Sequence, residues 1–421
     1  MTAVDLPMTL GGPAHAGGIA CFVGRNDDYW RLLIRGNVLV AVTAGIYRFW
    51  LHTDMRRFLW ANTEIGGGTL EYAGRGIELF LGFLIAIAVL VPIWAVVFGV
   101  SLVIPGLRNF STGIMFVVLL VLGQFAVYRA RRYRLTRTIF RGIRFHQSGS
   151  AWSYAFRSAG WWLLIFLALG LAYPWAQASL DRYRMRHTFY GDLPGRFTGS
   201  GTTLFLRGGA LWLILIGPVL LILVRVPSTD WSLFRFQVLQ AVRRAAVEAI
   251  PVSEPSVSGF LHFTALWIPL VGALLFPALE AITMRWWLSG LRFGDIAVTS
   301  LLKKRSLYGI YLRYKLASIL FFVVVGVVVA IGFGIFRATM GLGSAEESGA
   351  AQILAVAAGV IAYVVFLPGS SIIYQAIVKL ALWQAAVESL DISNFHMVEL
   401  VKAEAKQSSP FGEGLADAKN R

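Results

Sequence analysis

Long apolar runs alternate with short basic segments along most of the chain. A helix rises 1.5 Å per residue, so an apolar run of about 20 residues is long enough to cross a bilayer. Six runs reach or approach that length, and we predict that they are transmembrane helices. They are residues 77–105, 112–128, 204–226, 263–283, 316–336 and 350–381.

Two further apolar stretches fit a complete crossing less well. Residues 29–50 contain Arg31, Arg35 and Asn37, which would be costly in the middle of a bilayer. Residues 161–175, if they crossed completely, would place the basic segments on opposite sides of the membrane. We therefore predict that both stretches are re-entrant or interfacial. Eight complete spans are the alternative.

An internal repeat links these segments. The repeated phrase is Arg, an aromatic residue, four residues, Thr, ten residues and Gly. Its copies begin at Arg57, Arg132, Arg182 and, in degraded form, Arg285. At the offset that relates the first copy to the third, Trp50 aligns with Trp175 and Gly76 aligns with Gly201. Repeats should share an environment, so the basic segments should all lie on one side of the membrane.

The repeat divides the chain into three predicted units between two polar tails. The N-terminal tail, residues 1–24, is expected to be flexible, and the C-terminal tail, residues 402–421, is expected to be disordered. The units are residues 25–150, residues 151–284, which include an amphipathic helix at 228–250, and a degraded third unit at 285–401.

The predicted fold class is an all-α polytopic membrane protein with its six spans in three hairpins. Short alternating segments bounded by glycine also predict β-strand fragments on the cytoplasmic side. Short isolated strands are marginally stable, so the fragments should pair into a small sheet beneath the helices. They are residues 69–72, 143–145, 196–198, 295–298 and 395–401.

Composition supports the membrane assignment and changes the meaning of the charge. The chain is 57% hydrophobic and 14% charged, whereas a soluble domain is about 25% charged. Its formal net charge is +16, which in a soluble protein would suggest nucleic acid. Here the basic residues flank apolar runs, as cytoplasmic loops do. We expect no nucleic-acid partner, cytoplasmic termini, and the Glu346–Glu347 loop on the opposite side.

Several residues together resemble the YjgN-like family of bacterial inner-membrane proteins. They are Asn37, Thr43 to Trp50, Arg57-Phe58 and Asn62-Thr63. Ala44 and Phe49 depart from that family's Leu and Pro, and His187 stands for its Asn in the second copy. The resemblance covers roughly residues 22–400. It implies a bacterial inner-membrane location, a domain of unknown function, a possible membrane-associated metallopeptidase partner, and no catalytic residues.

The repeated arginines are the candidate binding residues. Guanidinium groups match phosphate geometry, and basic residues beside membrane helices attract anionic lipid head groups. The candidates for lipid or anion binding on the cytoplasmic side are Arg57, Arg132, Arg182 and Arg285. Positive-inside anchoring without a specific ligand is the alternative interpretation.

Two ionisable residues lie within or near predicted spans and are further candidates. Glu280 and Lys379 qualify because intramembrane charges mark functional sites by default. Glu280 could instead pair with Arg285, and Lys379 could extend to the interface. The six histidines form no zinc-binding helix motif, and Cys21 is the only cysteine. We therefore predict no metal, no cofactor and no catalytic residues.

Three functional classes remain open from the sequence. A non-enzymatic membrane module that binds lipid or a protein partner is favoured by the basic–aromatic repeats. A transporter or channel for a small solute or lipid is favoured by the repeat and by prolines within the spans. A membrane-embedded enzyme acting on lipid or glycan would need converging acid and base residues, which the motifs do not supply.

Overall fold

The computed structural model describes residues 20–103, 105–225, 257–339, 359 and 366–401. The amphipathic helix predicted at 228–250, the Glu346–Glu347 loop, and the predicted tails except for residues 20–24 lie outside the described residues. Ten helices lie within them. They are α1 (Asn26–Val42), α2 (Arg48–Ala61), α3 (Gly76–Val103), α4 (Pro105–Thr136), α5 (Ala151–Leu167), α6 (Tyr173–Arg186), α7 (Gly201–Arg225), α8 (Val257–Ser289), α9 (Lys304–Thr339) and α10 (Phe366–Glu388).

Six helices are long and apolar enough to cross a membrane, namely α3, α4, α7, α8, α9 and α10. Many of their large apolar side chains lie on the exterior, where lipid would cover them. Some extend beyond the predicted apolar runs, because arginine and lysine are good helix formers. Helix α4 continues through the basic block to Thr136, and α9 begins at Lys304.

The predicted all-α fold is wrong, because the described chain also contains ten strands in one antiparallel sheet. The strands are β1 (Ala20–Phe22), β2 (Thr63–Ile65), β3 (Gly68–Tyr72), β4 (Thr138–Phe140), β5 (Ile143–Gln147), β6 (Thr188–Tyr190), β7 (Leu193–Phe197), β8 (Leu291–Phe293), β9 (Ile296–Ser300) and β10 (Leu390–Ser393). They follow each other in chain order around a nearly closed, barrel-like ring. Four of the predicted fragments overlap β3, β5, β7 and β9, but residues 395–400 form a 3-10 helix instead of a strand.

Four β-hairpins make up most of this ring, each closed by a two-residue turn. The first two turns, Gly66-Gly67 and Arg141-Gly142, have positive φ at both residues, as type I′ turns require. In the other two turns only the first residue, Gly191 or Gly294, has positive φ, which is the pattern of type II′. These turns explain the glycines that bound the predicted fragments.

The structural repeat is therefore a helix, a β-hairpin and a second helix. The last strand of each unit pairs with the first strand of the next, and the register is conserved. Tyr72 lies opposite Thr138, and Gln147 lies opposite Thr188. The threonines of the repeated phrase thus begin the strands that join neighbouring units.

The two ends of the described chain complete the ring. Strand β1 pairs with β2 as the last strand of a unit would, and β10 pairs with β9 as a first strand would. Helix α10 packs against β1, and the indole of Trp383 donates a hydrogen bond to Thr63 Oγ1 at 2.9 Å. Strands β10 and β1 are the two ends of the ring and do not pair with each other. We call the place between them the seam, and it takes the position that a fifth hairpin would have.

The inside of the ring is a hydrophobic core. Equivalent strand positions supply one side chain each: Ile65, Phe140, Tyr190, Phe293 and Ile392. The 3-10 helix Phe395–Leu400 packs Phe395 and Val398 into the same cluster. A Cβ atom on Gly66 would lie 2.0 Å from the Phe395 ring, so the turn and this helix fit closely.

The two stretches predicted to be re-entrant form the tips of short helix–turn–helix hairpins. Residues 29–50 comprise most of α1, a turn and the start of α2; residues 161–175 span the equivalent turn between α5 and α6. Left-handed residues make both turns: Ala44 and Gly45 in one, Leu169 and Gly170 in the other. Helices α1 and α5 have 17 residues each, roughly 25 Å, which is shorter than the hydrocarbon core. Re-entry into the membrane stays a prediction.

Candidate functional site

The repeated arginines bond the main chain of their own units. Arg57 Nη2 donates to the carbonyl of Gly74 at 2.8 Å, and Arg182 Nη2 donates to that of Gly199 at 3.4 Å. Arg132 makes the same contact with Gly149. Each contact ties the end of one helix to the loop that leads into the next. The constant spacing from Arg to Gly in the repeat is therefore explained by a structural bond.

The four candidate arginines lie in different units, and the structure does not bring them together into one site. Arg57, Arg182 and Arg285 are exposed, and Arg132 is half-buried. In the fourth copy Leu302 takes the place of the glycine. Any ligand would thus meet the repeated arginines one at a time, through the donors that the main chain leaves free.

Asn62 and His187 occupy equivalent places at the ends of α2 and α6. The Asn62 amide donates to the carbonyl of Phe58 at 2.7 Å. His187 Nδ1 lies 2.8 Å from the carbonyl of Tyr183 and donates to it. Both side chains thus satisfy a carbonyl of the last helical turn. His187 therefore has a structural role at the end of α6, as Asn62 has at the end of α2.

A basic cleft lies between the two helices of the first short hairpin. Its volume is about 650 Å³. Arg31 and Arg35 line it from α1, and Asp54 and Arg57 line it from α2. The Asp54 carboxylate is 3.7 Å from Arg57, in a half-exposed pair. Arg31 and Arg35 are exposed and form no ion pair within the described part of the chain. The cleft thus holds a net positive charge.

Apolar packing fixes this cleft in place. Tyr29 and Leu33 of α1 are completely buried against Leu51 and Met55 of α2, in a cluster that also includes Leu380 of α10. Burial raises the pKa of the Tyr29 hydroxyl, which therefore stays neutral. Since α1 is held on one face by this core, its other face presents Arg31 and Arg35 one helical turn apart.

The sequence contained a signal for this cleft that our prediction did not use. Arg31 and Arg35 are four residues apart and so share a helix face. The turn that folds Arg57 back toward them, at residues 43–47, carries no strong sequence signature beyond Gly45.

Glu280 and Lys379, the intramembrane candidates, are engaged in separate contacts. The Tyr311 hydroxyl donates to the Glu280 carboxylate at 2.5 Å, which joins α8 to α9. Glu280 therefore bonds Tyr311 and forms no ion pair with Arg285. Lys379 is exposed and lies over the ring of Tyr374, in a π-helical stretch of α10 from Tyr374 to Lys379. Among the described residues, no group of three His, Cys, Asp or Glu side chains could hold a metal ion.

A second cavity lies beside the Glu280–Tyr311 hydrogen bond. It has a volume of about 340 Å³, and Pro277, Tyr308, Tyr311, Tyr314 and Lys315 are among its lining residues. Leu274, Phe276 and Leu312 make much of its remaining wall apolar. This cavity offers few polar groups to a solute.

Part of the chain matches a known protein family. Residues 20–229, about half of the chain, match the family described as "Bacterial protein of unknown function (DUF898)". The chain is 27% identical over 160 residues to "Inner membrane protein YjgN" of Escherichia coli O157:H7 and 26% identical over 160 residues to that of strain K12. Each alignment covers 38% of this chain and 36% of the relative, so the matched part spans about a third of each relative's length. No solved structure matches the chain.

Proposed function

This chain belongs, through residues 20–229, to the DUF898 family of bacterial proteins and resembles YjgN inner-membrane proteins, and we propose that it is a non-enzymatic membrane module that binds anionic lipid head groups. The basic cleft between α1 and α2 carries the proposal. Arg31, Arg35 and Arg57 line it against a single carboxylate, Asp54. A phosphate-bearing head group would supply the missing negative charge.

The surroundings of the cleft suit a lipid. Leu32, Leu51 and Phe58 line it beside the arginines, so an acyl chain would find apolar surface next to the charged group. Val38, Val42 and Ile46 are exposed toward the tip of the same hairpin. An apolar hairpin tip with basic residues nearer its base is the arrangement expected of an interfacial element.

Removal of the two α1 arginines should weaken the binding of anionic lipid. Each basic residue near a membrane surface contributes about 1 kcal/mol to such binding, so the Arg31→Gln/Arg35→Gln double variant should bind roughly thirtyfold more weakly. Purified protein in an uncharged detergent would be titrated with cardiolipin, and bound lipid would be measured by native mass spectrometry. Phosphatidylcholine is the comparison lipid.

Arg186→Gln is the matched control, because Arg186 is an exposed arginine at the end of α6 outside the cleft. It loses one positive charge and should retain cardiolipin binding. Arg57→Gln is less informative, since it also breaks the bond to Gly74. Cardiolipin binding by the double variant at the wild-type level would disprove the proposed role of the cleft.

Transport is the second candidate, and it predicts a continuous polar cavity that reaches Glu280 or Lys379. The 340 Å³ cavity beside Glu280 is largely apolar apart from its tyrosines and Lys315, and the Glu280 carboxylate is occupied by Tyr311. These contacts favour binding over transport. The possible metallopeptidase partner remains a proposal that rests on the family resemblance alone.

We further propose that the sheet faces the cytoplasm, because the basic ends of α4 and α9 both meet it. A single cysteine at Asp192 or Asp295, in two hairpin turns, would report the side in a Cys21→Ser background. An impermeant maleimide should label either cysteine in inside-out vesicles and leave it unlabelled in intact spheroplasts. The reverse labelling pattern would place the sheet outside.

A further inference from the structure

Above the first part of the sheet, two tryptophans stack on each other and each donates a hydrogen bond to a threonine. The rings of Trp60 on α2 and Trp383 on α10 stack with centroids 4.9 Å apart. The Trp60 indole donates to Thr138 Oγ1, at the start of β4, at 3.1 Å. Trp383 donates likewise to Thr63. These contacts form a floor that joins α2 and α10 to the first residues of β2 and β4.

The floor lies on the inner side of the ring. Side chains two residues apart in a strand point to the same face. Thr63 precedes Ile65 by two residues, and Thr138 precedes Phe140 by two, and both of those apolar residues belong to the core inside the ring. The tryptophans that bond the threonines therefore face the interior as well.

A cation lies one helical turn above each part of the floor. Arg56 is four residues before Trp60, Lys379 is four before Trp383, and Arg134 is four before Thr138. Residues four apart share a helix face, and the Thr138 hydroxyl donates to the Arg134 carbonyl at 2.9 Å, so the three cations border one space. We call them the cation triad. The Arg56 side chain is fixed by a hydrogen bond: its Nη1 donates to the Tyr72 hydroxyl at 3.1 Å.

Among the described residues, no carboxylate forms an ion pair with a member of the triad. The ion pairs found among the described residues use Arg57, Arg137, Arg141 and Arg184, and none includes a member of the triad. Asp181, the buried carboxylate of the neighbouring unit, is paired with Arg184 at 2.9 Å. Further positive charge comes from Arg131, which lies three residues before Arg134 on α4 and contacts Met185.

The state of His52 is consistent with a positively charged, solvent-accessible space. His52 lies four residues before Arg56, on the same face of α2. Partial desolvation by the surrounding protein lowers the pKa of His52, and the positive charges of Lys379, Arg56 and Arg48 lower it further. Its side chain nevertheless remains open to solvent. Arg134 and Lys379 are also exposed, so an ion from solution can reach them.

We propose that the cation triad of Arg56, Arg134 and Lys379 binds a small phosphate-bearing anion in the space above the floor. Two guanidinium groups and one ammonium group supply hydrogen-bond donors that suit the oxygen atoms of a phosphate dianion. Positive charges that lie close together without a carboxylate repel each other, and a bound anion offsets that repulsion. The site is separate from the α1–α2 cleft, because none of the three triad residues lines that cleft.

Inorganic phosphate is the probe for this site. Full-length protein in phosphatidylcholine nanodiscs would be titrated with phosphate at constant ionic strength, and binding would be followed by calorimetry. We expect saturable binding, and each of Arg56→Gln, Arg134→Gln and Lys379→Gln should weaken it about tenfold, the loss of one charged hydrogen bond. Arg56→Lys and Arg134→Lys keep the charge and should lose less.

Two controls separate this site from general charge effects and from the lipid cleft. Arg186→Gln should bind phosphate as the wild type does, and the Arg31→Gln/Arg35→Gln double variant should keep the phosphate binding that the triad variants lose. Titration in phosphatidylglycerol nanodiscs distinguishes the source of the anion: a lipid head group in the triad would compete with phosphate, and a free anion site would be unaffected by it.

Three outcomes would overturn the proposal. They are no saturable phosphate binding by the wild type, wild-type affinity in all three glutamine variants, and a loss in Arg186→Gln as large as theirs. Size-exclusion profiles and circular dichroism would verify that each variant is folded. Lys379→Gln changes an exposed residue, so it tests the triad even where an arginine variant fails to fold.

Discussion

Replacement of Glu78 by alanine should lower the free energy of unfolding by about 3–5 kcal/mol, because it leaves a buried arginine without its counter-charge. Arg137 Nη2 lies 2.9 Å from the Glu78 carboxylate, and their side chains are only 3% and 15% exposed. The Tyr133 hydroxyl donates to the same carboxylate. The loss would be measured by denaturation of the purified protein in detergent micelles with increasing sodium dodecyl sulfate.

Two further variants test the cause. Asp54→Ala breaks an ion pair that is half exposed and 3.7 Å long, so it should cost less than about 1 kcal/mol. Glu78→Ala combined with Arg137→Met removes both charges and should recover most of the lost stability. Equal losses in Glu78→Ala and Asp54→Ala would show that burial of the pair does not matter.

Alanine at Gly76 or Gly201 should destabilise the protein by about 1–3 kcal/mol, the usual cost of an added atom in a packed contact. A Cβ atom on Gly201 would lie 2.8 Å from the Cα atom of Trp175, and one on Gly76 would lie 2.8 Å from that of Trp50. The obstructing atoms belong to the main chain and cannot rotate away. The same denaturation assay would measure the loss.

Gly82→Ala is the matched control in the same helix as Gly76. No atom lies within 4 Å of the Cβ position there, and alanine is favoured over glycine in helices by about 1 kcal/mol. Gly82→Ala should therefore be neutral or stabilising. If Gly82→Ala and Gly76→Ala behave alike, helix propensity and not close packing would decide the effect.

These glycines show what the sequence made predictable. The alignment of Trp50 with Trp175 and of Gly76 with Gly201 was visible as a coincidence at one offset. Its physical basis is one helix-to-helix contact that occurs in two units. The apolar runs were also readable, because lipid imposes a long and continuous hydrophobic pattern. The YjgN-like resemblance is confirmed by the comparisons.

The sheet was only partly predictable. Strands β2, β4, β6 and β8 have three residues each, which is too short for an alternating pattern to stand out. Their stability comes from pairing with the neighbouring units, and a local sequence window does not contain those partners. The predicted all-α class failed for this reason.

The candidate sites show the same division between local and distant information. The repeated arginines were found because their spacing is constant, but their bond to a main-chain carbonyl was not foreseeable from residue type. Arg31 and Arg35 share a helix face that the sequence does reveal. Arg56 and Lys379 are brought together only by the ring, so no local pattern indicates that they border the same space.

The seam sets an order of events during synthesis. The Trp383–Thr63 hydrogen bond joins residues separated by 320 positions. At a translation rate of about 5–20 residues per second, Thr63 leaves the ribosome on the order of tens of seconds before its partner exists. During that interval β1 lacks the cover of α10, and β9 offers an unpaired edge until β10 is made. Ring closure is therefore a late step, because it cannot occur before α10 and β10 have been synthesised.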